Sequence, residues 1–163
     1  STLITCCREN TEVEVKTICD VNDLNSSRAA AEIEKQFGYK PATVRNMKEV
    51  FDDRDIDAVY ISTPDHWHAL ATIRACQAGK DVYVEKSPTH SIGEGRKMAE
   101  AAKVAIRNQR RDINDELKVF KNDKKITEDA FFKAQDEVQK VTDEYIKKCD
   151  ELSAQKEKEI LEI

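Results

Sequence analysis

Glycine and proline are scarce in this chain, and its second half has neither. The 163 residues include four glycines and three prolines, and all seven lie before residue 96. Both residue types interrupt helices and shape turns, so their absence favours uninterrupted helix. From Lys103 onward, 14 residues are basic and 15 are acidic among 61, a mixture typical of solvated helices. A globular α/β half therefore gives way to a helical half.

Three further absences narrow the class of protein. No apolar run reaches the roughly 18 residues that a membrane-spanning helix requires, so we expect no membrane partner. The net charge is −5, so the chain does not have the overall excess of basic residues that is typical of nucleic-acid binders. The five cysteines are odd in number and form no C-x-x-C pair, which disfavours a disulfide framework or a cysteine zinc site. These features predict a soluble, cytoplasmic protein with reduced thiols.

Residues 57–86 carry the clearest local pattern. Asp57 to Ser62 is a short apolar run rich in β-branched and aromatic residues, which predicts a strand. His66 to Ala78 has apolar residues at helical spacing and precedes Gly79, a residue suited to the left-handed conformation after a helix. Val82 to Val84 is a second apolar run. The three segments together predict a βαβ unit with parallel strands.

Ligands of such a unit bind at the carboxyl ends of its strands. Here those ends carry Ser62-Thr63-Pro64-Asp65-His66 and Glu85-Lys86, and we expect the functional site there. His66 and His68 flank Trp67, and an H-x-H pair can bind zinc. Because no third ligand stands at a readable spacing, we predict no metal site.

The preceding segments alternate between strand and helix, which predicts an open parallel sheet with helices on both faces. Asp20 stands at the end of the first predicted strand. It either binds the ribose of a nucleotide or, with Asn22, caps the next helix, and the pattern leaves both roles open. The predicted elements are strand Val13 to Asp20, helix Ser26 to Phe37, strand Pro41 to Arg45 and helix Met47 to Phe51.

Two long helices are predicted after residue 90. The first runs from Ser91 through Lys121, and Thr127 caps the second after a polar connector, Asn122 to Ile126. Helices joined in this way form an antiparallel hairpin. Each carries an apolar stripe suited to packing against the other helix, a partner chain or a sheet face. The stripes are Ala102, Ile106, Gln109, Ile113, Leu117 and Phe120 on the first helix, and Ala134, Val138, Val141, Tyr145, Cys149 and Leu152 on the second.

The first hundred residues resemble a known family. The motifs TPDHWHA, AGKDVYVEK and THSIGEGRKMAEAA occur in the order and spacing of the cofactor-binding half of the Gfo/Idh/MocA oxidoreductases. The resemblance implies a Rossmann-like sheet, NAD or NADP as cofactor, and a sugar or polyol substrate. It also implies that Lys86 is the catalytic lysine. The residues that it places at the cofactor are Asp20, Ser62, Thr63, Pro64, His66 and Glu85.

The chain departs from this family at two places. Ser87 stands where the family has proline, and Lys86 with Glu85 has the plainer interpretation of a surface ion pair. The family also opens with a strand and a G-x-G-x-x-G loop, whereas no glycine precedes Gly38 here. That strand lies at the centre of the strand order 3-2-1-4-5, so its loss would expose two strand edges and remove the phosphate site.

The second half resembles a different family. The stretches KVAIRNQRRDINDELK and KKITEDAFFKAQDEVQKVTDEYIKKCDEL are similar to the C-terminal part of bacterial ribosome recycling factor, in which a helical bundle binds ribosomal RNA. The resemblance implies phosphate contacts by Arg107, Arg110 and Arg111. Alternatively, these arginines pair with acidic neighbours on a solvated helix.

The patterns together predict an α/β protein in which a truncated Rossmann-like parallel sheet is followed by a long α-helical hairpin, with domains at 1–102 and 103–163. We favour an NAD(P)-dependent oxidoreductase-derived cofactor-binding domain, because that resemblance covers about 102 of the 163 residues. We expect little or no activity as it stands, because hydride transfer needs substrate and cofactor in one geometry and the substrate domain that follows in the family is missing here. The alternatives are a ribosome-associated translation factor acting through the helices, and a non-functional chimera of two fragments. The sequence also leaves open that copies of the chain form a homo-oligomer through the helical stripes.

Overall fold

The computed structural model describes residue 7 and residues 12–162. These residues form two compact units. The first contains the residues up to Tyr60 together with Lys80–Tyr83, and the second contains Ile61–Gly79 together with the residues from Val84 onward. Within the described ranges, no helix is long and apolar enough to cross a membrane.

The first unit is built around a short parallel sheet. Strands β1 (Thr17–Cys19) and β2 (Ala42–Val44) pair in parallel, with helix α1 (Asp23–Phe37) between them and helix α2 (Met47–Asp52) after β2. Strand β1 is shorter than predicted because the chain before it bonds to a side chain: the amide of Val15 donates to the hydroxyl oxygen of Tyr39 at 2.9 Å.

Helix α1 begins three residues earlier than predicted because Asn22 caps it. The Asn22 side chain accepts a hydrogen bond from the amide of Leu24 at 3.0 Å, which satisfies a donor in the first turn. Gly38 ends the helix with a φ of 80°, as predicted. On the inner side of α1, Ile33 shares an apolar cluster with Val15.

A second sheet pairs β3 (Ala58–Ile61) with β4 (Asp81–Val84). The amide of Asp81 donates to the carbonyl of Asp57, and the amide of Glu85 donates to the carbonyl of Ile61, both at 2.9 Å. The step from the first bond to the second is equal in length and direction on both strands, which is typical of parallel strands. The predicted α/β class is confirmed. The described strands form two separate pairs, rather than the one open sheet that the alternation of strand and helix predicts.

The second unit is mainly helical. A 3₁₀ turn (Asp65–Trp67) leads into helix α3 (His68–Gln77), which Gly79 follows at a φ of 76°. Helix α4 (Ile92–Asn122) then packs against both α3 and the last helix, α5 (Glu128–Leu161). Thr127 caps α5 through a bond from the amide of Ala130 at 3.2 Å, as predicted. The two long helices form the predicted hairpin.

The apolar stripes of the hairpin are covered only in part. Polar side chains meet across that contact: Arg96 with Glu157, Lys103 with Asp150, and Arg110 with Gln139. The stripe residues Ile113, Val141, Tyr145 and Leu152 are 43 to 55% exposed. The other apolar members of the stripes are half-buried: Ala102, Ile106, Leu117, Ala134, Val138 and Cys149.

Candidate functional site

Two loops meet at the carboxyl ends of β3 and β4. The first loop, Ser62–His66, is exposed, and the second begins at Glu85, which is half-buried. The hydrogen bond from the Glu85 amide to the Ile61 carbonyl holds the start of the second loop beside the end of β3. The two stretches singled out from the sequence therefore lie side by side, at the end of a parallel pair where ligands bind.

His68 connects these two loops from the inside. Its ring is 2% exposed, with Nε2 at 2.7 Å from the carbonyl oxygen of Thr63 and Nδ1 at 2.9 Å from the carbonyl oxygen of Ser87. Both ring nitrogens are thus engaged, whereas the ring of His66 is exposed. The two histidines of the H-x-H motif occupy different environments and are not arranged as a pair of metal ligands.

A second connection joins the same loops at the surface. Nε2 of His90 lies 3.2 Å from a carboxylate oxygen of Asp65, and this hydrogen bond from His90 lowers the pKa of the Asp65 carboxyl below its usual value. Sequence reasoning missed this pair, because nothing in the spacing of two residues 25 positions apart indicates that they meet.

Lys86, the predicted catalytic residue, is exposed at the rim of the second loop. Within residue 7 and residues 12–162, no acidic side chain forms a salt bridge with the ammonium group of Lys86. The alternative interpretation, a surface ion pair between Lys86 and Glu85, therefore does not describe the structure. The peptide bond between Lys86 and Ser87 is cis. An exposed lysine beside the Thr63 loop is available to a bound ligand, and its catalytic role stays a prediction.

Asp20 lies in the first unit, directly after β1. Its carboxylate accepts a hydrogen bond from the amide of Asn22 at 2.8 Å, and its other oxygen lies 3.4 Å from the side-chain nitrogen of Asn25. Asp20 thus holds the turn that brings Asn22 into its capping position. The helix-capping alternative is correct for Asn22, and ribose binding by Asp20 stays a prediction.

The three arginines of α4 differ in their surroundings. Arg107 and Arg110 are half-buried, and Nη1 of Arg110 donates to the side-chain oxygen of Gln139 at 3.0 Å. Arg111 is exposed. The alternative of pairing with acidic neighbours on α4 does not describe Arg110, whose partner is on α5. Of the three, Arg111 is the most accessible to a phosphate group.

A parallel βαβ arrangement with polar loops at the carboxyl ends of its strands defines the class of nucleotide-binding α/β proteins. The model of one family in that class, the oxidoreductase family with an NAD-binding Rossmann fold (Gfo/Idh/MocA), matches residues 5–107. The chain belongs to this family, as the motifs around residues 63–102 predict.

A solved structure agrees with this assignment in fold. The yvaA protein from Bacillus subtilis is 26% identical with a TM-score of 0.50, over 60% of this chain and 27% of that chain. Levoglucosan dehydrogenase, solved with NADH and levoglucosan, is 33% identical with a TM-score of 0.47, over 56% of this chain and 24% of its own.

The second half matches a different family model, ribosome recycling factor, over residues 89–161. The ribosome-recycling factor of Desulfatibacillum aliphaticivorans is 58% identical over 66 residues, which are 40% of this chain and 36% of that protein. The factor of Desulfotalea psychrophila is 59% identical over 72 residues, which are 44% of this chain and 39% of that protein. The chain thus spans less than two fifths of the length of these relatives.

Both family matches include residues 89–107, which lie mostly in the first half of α4. The match to the oxidoreductase family and the match to ribosome recycling factor therefore overlap, and most of the overlap lies within one unbroken helix. This arrangement is consistent with a fused or chimeric protein. The domain boundary at residues 102 and 103 stays a prediction.

Proposed function

We propose that residues 1–102 form a cofactor-binding domain derived from an NAD(P)-dependent oxidoreductase of the sugar or polyol class, with little or no turnover as it stands. The observation that carries the proposal is the adjacency of the loops after β3 and β4 in a chain of the NAD-binding family. In this proposal the cofactor lies against Ser62, Thr63, Pro64, His66 and Glu85, and Asp20 binds its ribose.

Lys86 is the proposed catalytic residue. Its ammonium group is exposed and has no ionic partner in the described part of the chain, so it can assist proton transfer from a substrate hydroxyl as hydride leaves. Folds of this class hold the pyrophosphate on the backbone amides of a glycine-rich loop. Ser62–His66 with Glu85 and Lys86 supply no such loop, so we expect these residues alone to bind the cofactor weakly.

Calorimetric titration and thermal unfolding with NAD and NADP test this function. A ligand that binds the folded state raises its stability in proportion to the logarithm of its concentration, so we expect a rise in the unfolding temperature at millimolar cofactor. Lys86→Ala should weaken binding, whereas Lys140→Ala, at an exposed position of α5, should not. No shift with either cofactor at millimolar concentration would contradict the proposal.

A second candidate function is association with the ribosome through α4 and α5. It is supported by the 58% identity to a ribosome-recycling factor over 66 residues and by the exposed guanidinium of Arg111, because arginine suits phosphate recognition. In this proposal Arg107, Arg110 and Arg111 contact ribosomal RNA in a cytoplasmic setting.

Cosedimentation with ribosomes at low and high salt tests the second function. Binding through phosphates should weaken steeply as salt rises. Arg111→Ala should reduce the bound fraction more than Lys133→Ala, which removes the same charge from an exposed position of α5. Absence of cosedimentation at low salt, with folded protein, would remove this candidate.

The same hairpin offers a surface for a second copy of the chain. The half-exposed stripe residues Ile113, Phe120, Val141, Tyr145 and Leu152 recur at the spacing of a helix-packing seam. We propose that two copies associate through them, and sedimentation velocity over a range of concentrations tests this. Tyr145→Glu should yield monomers, whereas Glu144→Gln should not.

A further inference from the structure

We propose that His68 is a positioning residue that fixes the two loops of the candidate cofactor site relative to each other. Its imidazole lies between backbone carbonyls of the two loops, 2.7 Å from the oxygen of Thr63 and 2.9 Å from that of Ser87. The proposal rests on the proposed cofactor-binding function, because these loops carry Thr63, Pro64, His66 and Lys86.

The chemistry of the ring defines what His68 can do. A carbonyl oxygen only accepts hydrogen bonds, so a ring nitrogen of His68 that carries hydrogen can donate to the backbone of the loop that it faces. With both nitrogens turned to the backbone and 2% of the residue exposed, the ring presents no nitrogen to a ligand or metal. His68 therefore acts on the site through the loops.

The positions of the two His68 bonds explain how His68 affects Lys86. The carbonyl of Ser87 belongs to the residue that directly follows Lys86, so the backbone of the lysine is held one residue from the anchored atom. The carbonyl of Thr63 anchors the first loop just before Pro64 and the 3₁₀ turn that starts at Asp65. The surface contact between His90 and Asp65 joins the same loops from outside. Two histidines thus hold one pair of loops, one from each side.

Two substitutions separate the two bonds. The amide nitrogen of asparagine matches the place of Nδ1 in histidine, and that of glutamine matches Nε2. His68→Asn should keep the bond to Ser87 and release Thr63, whereas His68→Gln should keep Thr63 and release Ser87. Hydrogen exchange followed by mass spectrometry should show faster exchange, by about 3- to 10-fold for one lost hydrogen bond, at residues 62–67 in the first variant and 85–90 in the second.

His66→Asn is the matched control, because His66 is exposed in the same turn and its loss should leave both peptides unchanged in the free protein. Peptides of α5 report whether a variant has unfolded generally. The proposal would be overturned if, in both His68 variants, each loop exchanged hydrogen at the same rate as it does in the wild type.

The exchange experiment is done without cofactor, so its outcome is independent of the proposed function. If the loops loosen as expected but wild type binds neither NAD nor NADP, His68 still positions the loops and the cofactor proposal fails. If wild type binds and the His68 variants bind equally well with unchanged exchange, the positioning role fails and the cofactor proposal stands.

Discussion

The α/β core and the helical hairpin are stabilised by different kinds of contact. In the α/β part, small and aliphatic side chains such as Ala30, Ile33 and Ala75 are almost fully buried, and Lys80 donates to two backbone carbonyls. In the hairpin, charged pairs at the surface join α4 to α5, and apolar stripes stay half-exposed. We therefore expect the α/β part to respond to cavities and lost buried hydrogen bonds, and the hairpin to respond to charge and salt.

The largest expected effect is from a cavity in the first unit. Ile33 is 2% exposed, and Ile33→Ala should destabilise this unit by about 2–5 kcal/mol, because removed burial and the cavity both cost free energy. Hydrogen exchange of residues 17–44 in urea measures the loss. Leu24→Ala, on the same helix but 66% exposed, is the control. Equal effects of the two changes would show that burial does not determine the stability of this unit.

A smaller effect is expected at Lys80, which is 9% exposed. Its ammonium group donates to the carbonyl of Asp53 at 2.6 Å and to that of Ile56 at 2.7 Å. Lys80→Met should leave these carbonyls without that donor and cost about 1–3 kcal/mol, measured by urea unfolding. Lys40→Met at an exposed position should change little, and a neutral result for Lys80→Met would show that its bonds are dispensable.

Acid should weaken the hairpin. Hydrogen bonds from Arg96 to Glu157 and from Lys121 to Glu128 lower the pKa of both glutamates. A glutamate whose pKa is lowered by folding stabilises the folded state fully at any pH above its pKa in the unfolded chain, roughly 4.3. This stabilisation is lost as the pH falls through the lower pKa that the glutamate has in the folded chain. Circular dichroism at 222 nm should therefore report falling thermal stability below about pH 4, and Glu157→Gln should make that pH dependence shallower.

The smallest expected effect is from a single charge pair of the hairpin. The Arg96 and Glu157 side chains, 65% and 28% exposed, join α4 to α5, so a double-mutant cycle with alanine should give a small favourable coupling that salt reduces. The pair Lys147 and Glu151 lies within α5 and should leave the contact with α4 unchanged when removed. Coupling of Arg96 and Glu157 that is insensitive to salt would contradict the surface character of this contact.

Local signals in the sequence predicted several elements well. Gly38 and Gly79 end α1 and α3 in the left-handed conformation, and Thr127 caps α5, because these effects depend on residues within one turn of each other. The start of α1 was wrong by three residues, although Asn22 was recognised as a possible cap. The length of β1 was wrong because the amide of Val15 bonds to Tyr39, 24 residues away.

The order of strands and helices, the hairpin and the membership of the first segment in an NAD-binding family follow from residue patterns alone, since periodicity, capping and motif spacing are local properties. Tertiary structure decided which side chains of α4 meet α5, that His68 faces Thr63 and Ser87, and that His90 pairs with Asp65. These outcomes depend on side chains brought together from distant positions, where packing and hydrogen-bond geometry choose among partners that the sequence leaves equally possible.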